Sequence, residues 1–145
     1  MRTIANGFAT DLPAGWEDRS MTTLVGPRGK GGFAPNVVVT RERLSGARLE
    51  EYARTQLEGA SAQLPGLQVI GEKRGELGGL ASIRRLQRFT TGGKQIQQSQ
   101  TFALGPDRAV VVTCSAQLEE FDECLPAFEE VLASFRFFDT GSTAW

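Results

Sequence analysis

The order of apolar and polar side chains predicts three strands near the start of the chain. Alternation, which is typical of strands with one buried face, occurs in three segments, residues 8–12, 20–26 and 36–44. In the last of these, Val38 and Thr40 point away from the face that carries Val37, because successive strand side chains alternate. A Pro-Ala-Gly turn follows the first segment, and we expect Trp16, just after the turn, to enter the core.

Helical spacing is found in two later segments, residues 48–64 and 119–135. The first helix ends at a Pro-Gly pair, and its predicted core stripe consists of Leu49, Ala53, Leu57 and Ala60. In the second, apolar residues recur every three or four positions, at Leu118, Phe121, Leu125, Phe128, Leu132 and Phe135. Pro126 is expected to kink this helix or to begin a second segment.

The chain between the two helices alternates again and is divided by turn signals. Gly78-Gly79, Gly92-Gly93 and Pro106-Asp107 separate four predicted strands, and short turns of this kind favour an antiparallel meander. We therefore predict an α+β fold in which an antiparallel sheet of about six or seven strands packs with helices. We predict that residues 1–138 form a single domain and that residues 139–145 form a flexible tail.

Composition narrows the range of partners. The chain has 145 residues, of which 40% are hydrophobic and 23% charged, as in an ordinary globular domain. A formal net charge of −1 gives no field that would attract nucleic acid. No segment approaches the roughly 20 apolar residues of a membrane span, so no direct membrane insertion is expected. Taking Met1 as the natural start, we find no signal-peptide core and predict a cytoplasmic protein.

The chain contains no histidine, which removes the usual general base and the commonest metal ligand. Cys114 and Cys124 lack the spacing of a standard zinc site, and we expect both to be reduced thiols. We therefore predict no cofactor, no metal and no enzymatic activity. Catalysis by carboxylates alone is the weaker alternative, because no pair of Asp or Glu residues stands out from the solvated charges.

Two further features favour structural explanations over chemistry. The glycine-rich segment 27–36 lacks the Gly-Lys-Ser/Thr sequence with which a phosphate loop holds phosphate and magnesium, so we predict a mobile loop. A basic cluster is predicted to be a solvated sheet face, because nearby acidic residues cancel much of its charge. Its members are Lys73, Arg74, Arg84, Arg85 and Arg88.

One face of the first helix does not match a core. Tyr52, Gln56, Ala60 and Leu64 share that face, and it has an amide and a small residue where bulk is expected. The strand "IQQSQTF" likewise places Gln98 and Gln100 on an otherwise apolar side. Either this strand end emerges into water, or the two elements form one half-apolar surface that suits a partner helix.

Several segments together resemble the DcrB-related domain family, whose members share the Mog1/PsbP-like fold. The likeness covers nearly the whole chain in order and is carried by "DLPAGWEDRSMTTL", "NVVVTRERL", "YARTQLEGASAQLPG", the meander and "PAFEEVLASFRF". Within the family, "QLE", Ala60, "QLPG" and "IQQSQTF" are most similar to the Eag-type chaperones of bacterial type VI secretion. These cytosolic proteins, usually dimeric, bind the N-terminal transmembrane helices of effectors and help to load them.

The resemblance implies a chaperone that acts as a homodimer, with an effector as its partner. The client-helix surface that it implies consists of Met21, Thr23, Val38, Gln56, Ala60, Leu64, Ile96 and Gln100. The alternative implied by other family branches is an envelope or regulatory protein-binding domain of the same fold, without enzymatic activity.

Overall fold

A computed structural model describes residue 11, residues 13–17 and residues 19–138. Its six strands are β1 (Met21–Val25), β2 (Asn36–Arg43), β3 (Gln68–Leu77), β4 (Leu80–Thr91), β5 (Lys94–Leu104) and β6 (Arg108–Gln117). The helices are α1 (Leu49–Gln63) and α2 (Phe121–Ala133), the latter preceded by a 3-10 turn (Leu118–Glu120). The strand predicted at 8–12 falls outside the described residues apart from residue 11, and so does the predicted tail.

All six strands belong to one antiparallel sheet in the order β1-β2-β6-β5-β4-β3. The four strands after α1 form the predicted meander, and β6 then pairs with β2, which brings the first hairpin to the far edge. The prediction of an α+β fold is confirmed. Both glycine pairs lie at hairpin turns with positive φ, 57° and 91° at Gly78 and Gly79 and 56° and 77° at Gly92 and Gly93, as two-residue turns require.

Each face of the sheet carries one helix. On the first, Phe121, Phe128 and Leu132 of α2 pack against a cluster that includes Val112 and Cys114 of β6. On the opposite face, Tyr52 and Ala53 of α1 pack against Ile83, Phe102, Ala109 and Val111. We call the second side the α1 face. The alternation that placed Val37 and Val38 on opposite sides is confirmed, because Val37 belongs to the α2 cluster.

α1 ends just before the Pro-Gly pair that was predicted to terminate it. The backbone N–H of Leu64 donates to the carbonyl oxygen of Ala60, and Pro65 cannot continue the hydrogen-bonded ladder. Gly66 then has a φ of +79°, which only glycine adopts without strain. The helix stripe that faces the sheet includes Tyr52, which is more buried than Leu57.

Three sequence-based expectations are wrong. Trp16 is 70% exposed and does not enter the core among the described residues. Arg85 does not belong to a solvated sheet face, because its side chain lies beneath α1 and is 1% exposed. Leu125 was expected on the apolar stripe of the last helix, yet it is 40% exposed, because α2 turns this position away from the sheet.

The glycine-rich loop between β1 and β2 makes specific contacts with the 3-10 turn and with β5. The backbone N–H of Lys30 donates to Glu120 Oε1 over 2.6 Å, and Lys94 Nζ donates to the carbonyl oxygen of Gly31 over 2.7 Å. A Cβ atom at Gly29 would overlap with the Glu120 carboxylate. The loop is therefore in direct contact with the Glu120 carboxylate, which would have to move to accommodate a side chain at position 29.

Candidate functional site

The strand residues of the predicted client surface lie on one side of the sheet. Thr23 of β1 pairs with Val38 of β2, Val38 with Thr113 of β6, and Thr113 with Gln100 of β5. Residues paired directly across neighbouring strands point to the same face. Gln100 is followed in this row by Arg85 of β4 and then Glu72 of β3. Three of the predicted residues therefore belong to a single row across the α1 face.

Met21 and Ile96 lie on the same face in other rows. Met21 pairs with Thr40, whose row leads through Val111 to Phe102 under α1. Ile96 lies four residues before Gln100 on β5, so the two side chains point to the same side. All five predicted strand residues therefore share the face that carries α1.

The helix covers only part of this face. α1 lies mainly over β4 and β5. Tyr52 meets Phe102 edge-on, with ring centroids 6.2 Å apart, packs in one cluster with Val111 of β6 and donates a hydrogen bond to Glu42 Oε1 of β2 over 2.8 Å. Gln56, Ala60 and Leu64 lie further along the helix and are all half-buried. The part of the α1 face that carries Thr23 and Val38 lies beside the helix, since neither residue belongs to the cluster packed under α1.

The predicted residues differ widely in exposure. Met21 is 60% exposed, and Thr23 is exposed as well. Val38 and Gln100 are half-buried, as are the three helix residues. Ile96 is 1% exposed, so direct contact of a partner with Ile96 requires the surrounding side chains to move. The accessible part of the predicted surface thus lies towards the β1 edge.

Amide side chains on this face form hydrogen bonds across the strands. Gln87 Nε2 donates to Gln98 Oε1 over 2.9 Å, and Gln98 Nε2 donates to Ser115 Oγ, also over 2.9 Å. In the neighbouring row, Gln100 Nε2 donates to Thr113 Oγ1 over 3.2 Å. One of the two interpretations of the sequence was that this end of β5 emerges into water. The hydrogen bonds of Gln98 and Gln100 across the sheet do not fit that interpretation.

Three buried amide oxygens remain without a hydrogen-bond partner among the described residues. They belong to Gln87, Gln100 and Gln117, and all three residues lie on the α1 face. A buried acceptor without a donor costs about 1–3 kcal/mol. This face therefore has unused capacity to accept hydrogen bonds.

Arg85 connects the sheet to the helix. Its Nη2 donates to the carbonyl oxygen of Ala53 over 2.7 Å, and its Nε donates to Glu72 Oε2 over 2.8 Å. The guanidinium carbon lies 5.0 Å from the centroid of the Phe102 ring, which allows a cation–π interaction. Sequence reasoning missed this role because an arginine in a charged strand gives no signal that a helix will cover it.

Neither thiol has the lowered pKa of a reactive cysteine. Burial raises the pKa of the Cys114 thiol to about 11, and burial with the nearby Glu120 and Glu123 raises that of Cys124, so neither thiol is activated. The two cysteines are free. Within the described residues, no group of three or more His, Cys, Asp or Glu side chains could hold a metal ion.

None of the helices in the described part of the chain combines the length and the apolar character needed to cross a membrane.

Two clefts lie away from the predicted client surface. One of about 490 Å³ runs between α2 and the β1–β2 loop. The other, of about 370 Å³, lies between α1 and strands β3 and β4.

Solved structures with the same fold come from several bacteria. PA94 from Pseudomonas aeruginosa, a protein of unknown function described as a candidate regulator, has a TM-score of 0.77 at 21% identity, over 89% of this chain and 90% of PA94. LpqN from Mycobacterium tuberculosis, involved in cell envelope biogenesis, has a TM-score of 0.58 at 14% identity, over 83% of this chain and 84% of LpqN. Cyanobacterial PsbP from Synechocystis sp. PCC 6803 has a TM-score of 0.56 at 11% identity, over 88% and 98%.

These likenesses establish the fold, and the PsbP-like architecture implied by the sequence resemblance is confirmed. A comparison with curated proteins finds no match. The DcrB family model, however, matches residues 9–134, which is most of the chain. The protein therefore belongs to the DcrB family.

Proposed function

We propose that this protein is a cytoplasmic, non-enzymatic chaperone that binds an apolar N-terminal transmembrane helix of a type VI secretion effector and helps to load that effector. The observation that carries the proposal is the row Thr23–Val38–Thr113–Gln100 on the α1 face. The row combines apolar, hydroxyl and amide side chains beside a helix whose Ala60 allows close approach. Its position within the DcrB family is compatible with such a role.

The dimensions of the face support a helical occupant. From Thr23 to Thr113 the row crosses two strand spacings, or about 10 Å at about 4.8 Å each. A helix with its side chains is about 10–12 Å wide. One helix could therefore lie on the part of the face formed by β1, β2 and β6, with its side against Gln56 and Ala60 of α1.

The polar groups of the face also suit a membrane helix as occupant. Small residues permit close backbone approach between such helices, and amide side chains bond polar atoms that would otherwise remain unpaired. A client of about 20 apolar residues gains roughly 25 cal/mol for each Å² of apolar surface that is covered. One shallow face covers only one side of the client, so we propose that two copies enclose it as a homodimer.

Co-expression tests the proposal directly. The full chain is produced with a tagged effector segment that contains N-terminal transmembrane helices, and with a matched segment in which those helices are replaced by a soluble helix. We expect a soluble complex with the first segment and none with the second. Failure to form a complex with effectors encoded beside the gene would contradict the proposal.

Light scattering tests the dimer separately. A mass of twice 15.7 kDa without the client, or of twice 15.7 kDa plus the mass of the client in its presence, supports two copies. A monomer under both conditions at micromolar concentration contradicts the dimer but leaves helix binding to the co-expression experiment.

A second candidate function is an envelope or regulatory protein-binding domain. The observation that favours it is the likeness in fold to LpqN, which is involved in cell envelope biogenesis, and to PA94, a candidate regulator. Gene neighbours distinguish the two functions. An adjacent effector gene with N-terminal membrane helices favours the chaperone, whereas envelope or regulatory genes favour the second function.

A further inference from the structure

Polar side chains on the α1 face lie in two neighbouring rows across the sheet. In one row, Gln87, Gln98 and Ser115 are joined by hydrogen bonds from β4 to β6. In the other row, Arg85 and Gln100 are direct cross-strand partners on β4 and β5. Residues paired in this way have Cβ atoms about 5 Å apart, yet no hydrogen bond joins these two side chains among the described residues. The second row is therefore interrupted between β4 and β5.

Each residue at the interruption has one buried atom without a hydrogen-bond partner in the described part of the chain. These atoms are Arg85 Nη1, which is a donor, and Gln100 Oε1, which is an acceptor. The remaining groups are occupied, since Arg85 Nε and Nη2 donate to Glu72 and Ala53, and Gln100 Nε2 donates to Thr113. A buried polar atom without a partner is costly, so a donor and an acceptor so close together call for a group that bonds both.

A third atom of the same kind lies next to them. Gln87 Oε1 is a buried acceptor without a partner among the described residues. Gln87 follows Arg85 by two positions on β4, so its side chain points to the same face, and it is the diagonal neighbour of Gln100. Arg85 and Gln87 are each 1% exposed. One donor and two acceptors are thus enclosed together on the α1 face.

We propose that this site binds one internal water molecule. The water accepts a hydrogen bond from Arg85 Nη1 and donates its two hydrogens to Gln100 Oε1 and Gln87 Oε1, which gives it the three hydrogen bonds typical of a buried water. A neutral ligand suits the site, because Glu72 already balances the charge of Arg85. The neighbouring cleft of about 370 Å³ is lined by Arg85 and Ala53 and gives water a route to the site.

The bound water would complete the second polar row. Hydrogen bonds would then run without interruption from Glu72 of β3 to Thr113 of β6. The row would join Arg85, the side chain bonded to α1, to Gln100, a residue of the predicted client surface. This water belongs to the protein without its client, so its detection does not depend on the proposed function.

A crystal structure of the full chain, at a resolution that shows ordered water, tests the proposal directly. We expect one water molecule within about 2.7–3.2 Å of Arg85 Nη1, Gln100 Oε1 and Gln87 Oε1. A site without water would overturn the proposal. A direct hydrogen bond from Arg85 Nη1 to either amide oxygen would overturn it as well.

Variants test the same site in solution. Gln87→Met and Gln100→Met each remove one acceptor and keep the length of the side chain. Urea denaturation of the two single variants and the double variant gives their coupling. We expect the double variant's unfolding equilibrium constant to depart at least about twofold from the product of the single effects, because the water links two residues that do not bond each other directly.

Gln97→Met supplies the matched control. Gln97 is a buried amide on the opposite face of β5, so its effect should be additive with that of Gln100→Met. Crystals of the Gln87→Met/Gln100→Met variant should lack the water, and crystals of Gln97→Met should retain it. Additive effects of Gln87→Met and Gln100→Met, or equal coupling in the control pair, would overturn the assignment.

Discussion

Arg85 Nη2 donates a hydrogen bond to the backbone carbonyl oxygen of Ala53 over 2.7 Å, and this contact joins β4 to α1. The aliphatic part of the same side chain fills space beneath the helix, since Arg85 is among the largest fully buried residues. Together with Tyr52 and Ala53, which pack against the sheet, Arg85 therefore helps to set the position of α1 and of its residues Gln56 and Ala60.

We expect Arg85→Ala to lower the free energy of unfolding by about 3 kcal/mol, because it removes both packing and a buried charge-assisted hydrogen bond. Urea denaturation measures the change. The control is Arg84→Ala, which removes the neighbouring arginine from the opposite face, where it pairs with a half-exposed Glu129. That change should cost less than about 1 kcal/mol. Equal costs for both variants would contradict the structural role of Arg85.

Ala60→Trp is expected to abolish binding of the effector helix while the protein stays folded. Ala60 is half-buried on the side of α1 that faces the sheet, so an indole ring there would occupy the proposed groove. Ser61→Trp places the same ring on an exposed position one residue further along and should bind normally. Co-purification and thermal unfolding are measured for both variants.

Two results would contradict the hypothesis that Ala60 lines the client-binding groove. If Ala60→Trp binds like the parent, the client surface is misplaced. If it unfolds the protein and Ser61→Trp does not, Ala60 belongs to the core.

Gln100→Leu should discriminate between clients. The substitution keeps the bulk of the side chain but removes the hydrogen bond to Thr113 and the unpaired Oε1. A purely apolar helix should still bind, whereas a helix with a polar residue at that depth should lose about 1 kcal/mol of affinity. Binding titrations with two such peptides measure the difference. Equal affinity changes for both peptides would show that Gln100 does not contact the client.

Stability should fall in alkaline solution because of Cys114. Burial raises the pKa of this thiol from 9.0 to about 11, so the folded state keeps a proton that the unfolded state releases. The stabilisation is complete below pH 9 and is lost as the pH rises through 11, by about 2 kcal/mol at 1.36 kcal/mol per pKa unit. Urea denaturation from pH 8 to pH 11 measures it.

Two variants separate this effect from that of Tyr52. Burial and the hydrogen bond to Glu42 also raise the pKa of Tyr52, which adds a loss above pH 10. Cys114→Ala should remove most of the loss between pH 9 and 10, the remainder coming from Cys124, whose pKa is also raised, and Tyr52→Phe should act only above that range. A pH profile unchanged by Cys114→Ala would contradict the assignment.

Chelators and reductants should leave the melting temperature unchanged. The two cysteines are not bonded to each other, and the core of two clusters is large enough for a domain of this size. Melting curves with EDTA, with dithiothreitol and without either are compared. A fall of several degrees with either reagent would contradict this expectation.

Local sequence rules predicted much of the fold because the deciding interactions are local. Gly78-Gly79 and Gly92-Gly93 supply backbone conformations that the turns require, and side-chain alternation places Val38 and Gln100 on a face without knowledge of their neighbours. The order of the strands was beyond these rules, since β2 pairs with β6 across a large separation in the chain.

The candidate site was predictable only in part. The resemblance to a family selected eight residues, and alternation alone would have grouped Gln98 with Gln100. The burial of Ile96 and Arg85 depends on the elements that cover them in the folded protein. The alternation of side chains along a strand gives no information about those elements. The amide links from Gln87 to Ser115 depend on the register of three strands, which the sequence does not specify.

The approach of the β1–β2 loop to the 3-10 turn has a consequence for related sequences. Because a Cβ at residue 29 would overlap with the Glu120 carboxylate, a side chain there forces Glu120 to rotate and release the backbone N–H of Lys30. Relatives that carry a larger residue at this position should therefore either lack the hydrogen bond to the backbone N–H of residue 30 or carry a shorter residue in place of Glu120. Gly29 and Glu120 lie in contact although they belong to two different segments of the chain. We therefore expect substitutions at these two positions to occur together in related sequences.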